Sequence, residues 1–255
     1  MKKILLLAFP ILFLLIAVSS VLAQNANSNI PEKNGDYPDP AHPKIRVRVF
    51  VHEPARGRKP SPNPTPTLSP VQCSDNPSSE VDGTTGWILP STVSYYTNES
   101  SVPSSVGTSL TGEAQNAFER WTEQITSGAP AMDYVSATSV NKSAYDKKNI
   151  ITFGRTQGTA LAVTYIRYDT SSQPYRVVDV DTIMNLKFAW TSGCFSNTYD
   201  VSDILTHELG HWYGLDDEYT SNYSENTMYG YGATGERKKV TPEEGDRTAI
   251  NSIYY

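Results

Sequence analysis

The chain has 255 residues, two of them Cys, and carries 21 Lys and Arg against 27 Asp and Glu, a formal net charge of −6. The charge is uneven: residues 1–79 hold nine Lys or Arg and five Asp or Glu (+4), and residues 80–255 hold twelve and twenty-two (−10). The acidic larger part argues against a nucleic-acid partner.

Residues 1–23 read as a secretory signal. Lys2 and Lys3 precede an apolar run over 4–18, and Val21, Leu22 and Ala23 supply a small-residue cleavage site before Gln24. An uncleaved anchor is the alternative, since the run approaches the ~20 residues that span a bilayer; Pro10 and the Val-Leu-Ala ending favour cleavage. No lipobox Cys follows the run and no second apolar segment appears later. The expectation is a secreted, monomeric protein that meets a membrane only through its signal segment.

From 24 to 79 the composition shifts: eleven of the seventeen prolines fall between Pro31 and Pro77. Such a stretch makes an extended, semi-rigid prosegment or linker. Within it, residues 45–51 alternate strictly, Ile-Arg-Val-Arg-Val-Phe-Val, which predicts a strand with one apolar and one basic face. This basic strand is open to three readings: a prosegment lying on the acidic domain, a tether to an anionic cell surface, or a solvated spacer.

Residues 80–255 are expected to form one compact domain, an ordinary size for a single core. Trp87 to Pro90 lead into an aromatic and β-branched strand over 92–96. A helix follows over 109–125, with Ala114, Ala117, Phe118, Trp121 and Ile125 on one side. Further strands are predicted over 134–140, 149–154, 161–168 and 176–189, with a turn at 171–174 between the last two. The next helix has Asp200 as its N-cap, Asp203 at the positive end of the dipole, and Gly214 as its stop. A Gly-rich charged loop over 230–239 precedes a final helix that begins at 241–246, with Pro242 just inside it and Ala249, Ile250 and Ile253 to pack it.

The second helix carries the chemistry. Residues 206–217 read Thr-His-Glu-Leu-Gly-His-Trp-Tyr-Gly-Leu-Asp-Asp. At four-residue spacing, His207 and His211 project from one helix face and can grip a single zinc ion. Glu208 beside them can take a proton from a zinc-bound water, and Asp217 is a hard oxygen ligand where the turned chain can come back to the metal. Asp216 and Glu218 are its rivals. The four histidines are 42, 52, 207 and 211, so no imidazole downstream of His211 can serve as third ligand.

The pattern H-E-x-x-H-x-x-G-x-x-D resembles the metzincin zinc peptidases, with Asp in the third place as in snapalysin-like members. Asn226-Thr227-Met228-Tyr229, with Met228 eleven residues after Asp217, resembles the matrixin form of the Met turn. The resemblance covers about 81–255 and is specific from 200 to 229. It implies an α+β zincin fold, a twisted mixed sheet over an active-site helix with a Met turn and a closing helix. It also implies a zinc endopeptidase acting on proteins or peptides with Glu208 as general base. Tyr229 or Tyr231 would approach the metal or an oxyanion. Residues 177–185 resemble the strand lining the matrixin cleft, but the family's calcium-loop and structural-zinc residues are not recognisable. One zinc is expected, with calcium left open. A zincin-fold surface-binding protein without catalysis, or a zinc hydrolase of non-protein substrates, are the other functional readings.

Cys73 and Cys194 admit two readings. An even count in an exported chain predicts a disulfide. Alternatively, Pro70 to Asp75 resembles the matrixin propeptide motif, in which the Cys73 thiolate would cover the metal; the motif's Arg and Gly are missing.

Overall fold

A computed structural model describes residues 30–55 and 72–255; the signal segment, its cleavage site and most of the Pro-rich stretch lie outside the described residues. In chain order the elements are β1 (Gly35–Pro38), β2 (Ile45–Pro54), β3 (Trp87–Ile88), β4 (Thr92–Thr97), α1 (Leu110–Thr122), β5 (Ala131–Ala137) and β6 (Asn149–Gly154). They continue with β7 (Ala162–Asp169), β8 (Tyr175–Asn185), β9 (Trp190–Thr191), β10 (Tyr199–Asp200), α2 (Val201–Tyr213), β11 (Tyr231–Gly232) and α3 (Glu244–Ile253).

The main sheet is mixed and runs β1-β2-β7-β8-β6-β4-β5, with β3 beside β8 and β11 beside β2. Strands β5, β4, β6 and β8 are parallel neighbours, whereas β7 returns antiparallel on β8. The parallel part is reached through α1, a crossover helix capped by Ser109, whose side chain accepts from the Gly112 N–H. Its apolar stripe, Ala114, Ala117, Phe118 and Trp121, packs on α2 beneath the sheet. The Phe118 and Trp212 rings meet edge to face at 5.2 Å, and Trp121 Nε1 donates to Thr206 O at 2.7 Å.

The basic strand of the Pro-rich segment is part of this sheet. Eight residues of β2, Ile45 to His52, pair antiparallel with Asp169 to Ala162 of β7. Because strand side chains alternate between faces, Val47, Val49 and Val51 join Val163, Tyr165 and Ile183 in a small outer cluster. Phe50 points the other way, into the main core. The basic face is neutralised locally: Arg46 pairs with Asp36 and Arg48 with Asp216, each at 2.9 Å.

Three boundaries differ from expectation. The strand placed at 134–140 is Ala131–Ala137, because pairing with β4 starts at Thr92 opposite Ala131. β8 stops at Asn185, where the side chain turns the chain by donating to Ala160 O and accepting from the Lys187 N–H. Pro242 lies outside α3; Glu243 is the N-cap, in a capping box with Asp246.

Two devices position the cleft, one buried and one at the surface. Arg167 of β7 is fully buried, with Nη1 at 2.6 Å from Asp179 and 3.0 Å from Asp181 and Nη2 at 2.8 Å from Ser143. These carboxylates, on the strand resembling the cleft lining, are thus held by a protein cation. Cys73 and Cys194 form a disulfide, which ties the chain's entry into the domain to the loop before α2. The sulfur of Cys73 is therefore not a free thiolate over the metal site.

Candidate active site

The α2 ends are fixed by local chemistry. Asp200 Oδ1 accepts from the Asp203 N–H at 2.8 Å, and Gly214 ends the helix at φ 105°. A Cβ at Gly214 would also stand 2.9 Å from Trp87 O. The left-handed turn sends the chain back along the helix, where Asp216 N–H donates to Gly83 O and Glu218 N–H to Met228 O, each at 2.9 Å. Asp217, held between these two anchors, faces the histidines.

His207 Nε2 and His211 Nε2 lie 3.2 and 3.4 Å from Asp217 Oδ1. Each ring is oriented from behind by a carbonyl that can only accept: His207 Nδ1–H donates to Thr227 O at 2.7 Å, and His211 Nδ1–H to Leu215 O at 3.0 Å. Both Nε2 atoms are thereby left as bare acceptors, which is the tautomer a metal needs. His207 Nε2, His211 Nε2 and Asp217 Oδ1 are all buried without a hydrogen-bond partner. Three convergent buried acceptors without donors repel one another, and a cation satisfies all of them. Two nitrogens and one carboxylate oxygen suit zinc with one position open. Among the described residues this trio is one of two groupings that could hold a metal, the other being His52, His207 and Glu208.

The neighbours of Asp217 are engaged elsewhere: Asp216 with Arg48, and Glu218 Oε1 with the Gly83 N–H at 2.9 Å. Asp217 Oδ2 accepts from Tyr219 Oη at 3.0 Å. Tyr219 is thus hydrogen-bonded to the cluster; its ring is 5.3 Å from that of Tyr231, which in turn is 5.5 Å from that of Tyr229. The sequence pointed to the latter two because they follow Met228; Tyr219 carries no motif signal.

Met228 is fully buried beneath the histidines. It packs against Gly210, where a Cβ would collide with its sulfur and approach Trp121 Cζ2 to 2.9 Å. The Met turn thus bears on α2 at two points, through this contact and the Thr227 carbonyl.

Glu208 is fully buried as well. Its Oε2 accepts from Thr164 Oγ1 at 2.6 Å, Thr164 and Thr182 Oγ1 atoms lie 2.8 Å apart, and Trp212 Nε1 donates to Thr182 Oγ1 at 3.0 Å. An indole N–H only donates and a carboxylate only accepts. The relay therefore runs one way, Trp212 to Thr182 to Thr164 to Glu208. The other oxygen, Oε1, lies 3.2 Å from His52 Nδ1. His52 was absent from the sequence-based site; the alternation of β2 places residues 48, 50 and 52 on one face, but nothing in the sequence says which face meets α2.

Burial pushes the Glu208 carboxyl up to about 7 and lowers His207 to about 4.

No curated protein gives a significant match to the chain. The matrixin family model matches residues 87–255, from β3 through α3, more than half of the chain and all of the zinc-motif helix and Met turn. With the motif, the fold and this match in agreement, the chain belongs to the matrixin family of zinc metalloendopeptidases.

Proposed function

We propose that the chain is an exported endopeptidase that hydrolyses internal peptide bonds of protein substrates. His207 Nε2, His211 Nε2 and Asp217 Oδ1 would hold the zinc, and Glu208 would act as general base and then general acid. When bound, the zinc supplies Lewis-acid polarisation of the scissile carbonyl and makes an attacking water more acidic. Glu208 receives the proton of that water on its carboxylate and delivers it to the departing amine, a double role suited to a carboxyl held near neutrality. Thr164, fed by Thr182 and Trp212, keeps the carboxylate in one rotamer. Tyr219 orients Asp217, and Tyr229 or Tyr231 would lie closer to the substrate.

The observation that carries this reading is the set of three unpartnered buried acceptors with Glu208 alongside. Export is supported by the N-terminal charge and apolar pattern and agrees with the disulfide. The test is mass spectrometry of an unfolded protein substrate after incubation with the enzyme. New internal termini that vanish with a zinc chelator and return on adding zinc are expected. Cleavage that survives complete zinc removal would overturn the proposal.

A further inference from the structure

The main sheet ends on an open strand at the side away from the metal centre. β5 closes the order β1-β2-β7-β8-β6-β4-β5 and, among the described residues, pairs with β4 alone. Four strand spacings separate it from β7, whose Thr164 meets Glu208, a distance on the order of 20 Å along the sheet. Ala131 N–H donates to Ser91 O at 2.9 Å, so strand alternation turns the main chain of Met132 and Tyr134 outward, away from β4. Edge strands kept free of partners commonly carry Lys or Pro. β5 reads Ala-Met-Asp-Tyr-Val-Ser-Ala, with neither, and Tyr134 and Val135 are 37% and 49% exposed. The register shift between Tyr95 and Tyr96 leaves Val135 without a partner on β4, so the regular edge is short, from Ala131 to Tyr134.

Beside this edge lies a groove of about 480 Å³ between β5 and α1. Its floor is apolar: Tyr95, Phe118 and Met132 line it, and the Tyr134 ring stands 5.8 Å from that of Tyr95. Its helix wall is acidic, with Glu119 in the last turn of α1 and Glu123 as the C-cap. Carboxylates at a helix C-terminus face the negative end of the dipole and are unfavourable there without a cation. Arg120, the base of that turn, is directed to α2, where Nη1 donates to Thr206 Oγ1 at 3.2 Å. Among the described residues neither Glu119 nor Glu123 has an ion-pair partner.

Free main-chain groups on an edge, an apolar floor and an acidic wall together specify one kind of guest. An extended segment bonds to the edge through its own main chain and sets alternate side chains over the floor. A Lys or Arg in it lays its aliphatic stem on the floor and brings its charge to the two carboxylates. We propose that the groove between β5 and α1 is a second docking site for protein substrates, taking a short extended segment that carries Lys or Arg beside apolar residues. This rests on the endopeptidase reading given above. A substrate chain that occupies both sites spans about 20 Å, at least roughly six extended residues. Short peptides therefore use the metal centre alone, and long ones use both.

Two measurements on the full chain test the proposal. The first is fluorescence anisotropy with a labelled peptide of Lys and Val, and with its counterpart of Glu and Val. The Lys peptide should bind and the Glu peptide should not. Glu119→Lys combined with Glu123→Lys should weaken binding roughly ten-fold, the effect of reversing two exposed charges. Tyr134→Pro removes an outward N–H and leaves the β4 ladder intact, so it should weaken binding too, as should N-methylation of the peptide main chain. Far-UV circular dichroism and zinc content show that each variant is folded. Equal binding of the two peptides, or a charge-reversed chain that binds the Lys peptide like the parent, overturns the proposal. So does a parent that is dimeric in gel filtration and monomeric after Tyr134→Pro, since the edge would then hold a second copy.

The second measurement is hydrolysis. On an unfolded Lys-rich protein, the charge-reversed chain should show KM raised roughly ten-fold at unchanged kcat. A quenched peptide too short to span both sites should be cut at the parent rate. Equal loss on both substrates overturns the proposal. If no form hydrolyses either substrate but binding still discriminates the Lys peptide, the endopeptidase reading fails while the docking site stands.

Discussion

Gly210 and Gly112 are both helical glycines, and replacing each by Ala should change stability in opposite directions. In a helix Ala is favoured over Gly by about 1 kcal/mol. At Gly112 in α1 the new methyl meets only Ser109 atoms at 3.9 Å, so the preference is realised and Gly112→Ala gains up to ~1 kcal/mol. At Gly210 the methyl would collide with Met228 Sδ, with Met228 Cε at 3.2 Å and the rigid Trp121 ring at 2.9 Å. Overpacking of this kind costs about 1–3 kcal/mol, and the ~1 kcal/mol helical preference offsets part of it, so Gly210→Ala should lose up to ~2 kcal/mol net. For a domain of this size that is a fall of up to roughly 8 °C in Tm. Moving Met228 also moves Thr227, whose carbonyl orients His207, so zinc affinity should fall with stability. Differential scanning calorimetry of the zinc-loaded and metal-free chains reads both effects. A Gly210→Ala chain as stable as the parent, with unchanged zinc affinity, would refute the coupling of the Met turn to α2.

Three further outcomes follow from the same geometry. Asp217→Ala should lose zinc, whereas Asp216→Ala and Glu218→Ala should retain it, since those carboxylates are occupied by Arg48 and the Gly83 N–H; metal analysis after gel filtration decides, and retention by Asp217→Ala alone would shift the third ligand. Thr164→Val removes a hydrogen bond to a charged group, worth about 1.5–3 kcal/mol, so kcat should drop roughly ten-fold or more at unchanged KM and zinc content, with Thr164→Ser restoring it. Asp82 Oδ2 and Asp246 Oδ1 are buried without donors, and burial first, then the neighbouring Asp246, hold the Asp82 carboxyl well above its ordinary range. A folded-state pKa above the unfolded one gives stability that is complete below about pH 4 and is lost as pH rises through the folded value, at no more than ~1.4 kcal/mol per unit. Asp82→Asn should therefore gain relative to the parent between about pH 5 and 9 in urea titrations, and a constant difference over that range would count against a raised Asp82 carboxyl.

The order of helices and strands in the family segment was legible because its signals are local. Asp200 and Gly214 bound α2 through their own hydrogen bonds and φ, and the β-branched run over 149–154 can be little else than a strand. His207, Glu208 and His211 were legible from helical spacing, and the geometry unites them with Asp217 because Gly214 turns the chain. What escaped the sequence is long-range. His52 reaches Glu208 across 156 residues, Thr164 across 44, and Tyr219 touches Asp217 only because the loop bends. The alternation of 45–51 revealed a strand, yet its apolar and basic faces could not say that Phe50 would lie on His211. Pairing partners are set by sheet topology, and no residue pattern inside β2 encodes them.

The most direct test of a metal held by His207, His211 and Asp217 and worked by Glu208 is one paired measurement on the Glu208→Gln chain: zinc per molecule, and peptide hydrolysis beside the parent. Glu208 contributes no donor to the three-acceptor cluster, and Gln keeps its shape, so one zinc per chain should remain while turnover falls by at least roughly 10²-fold. A Glu208→Gln chain that retains zinc and hydrolyses peptide at the parent rate would contradict the assignment of the base and the centre built around it.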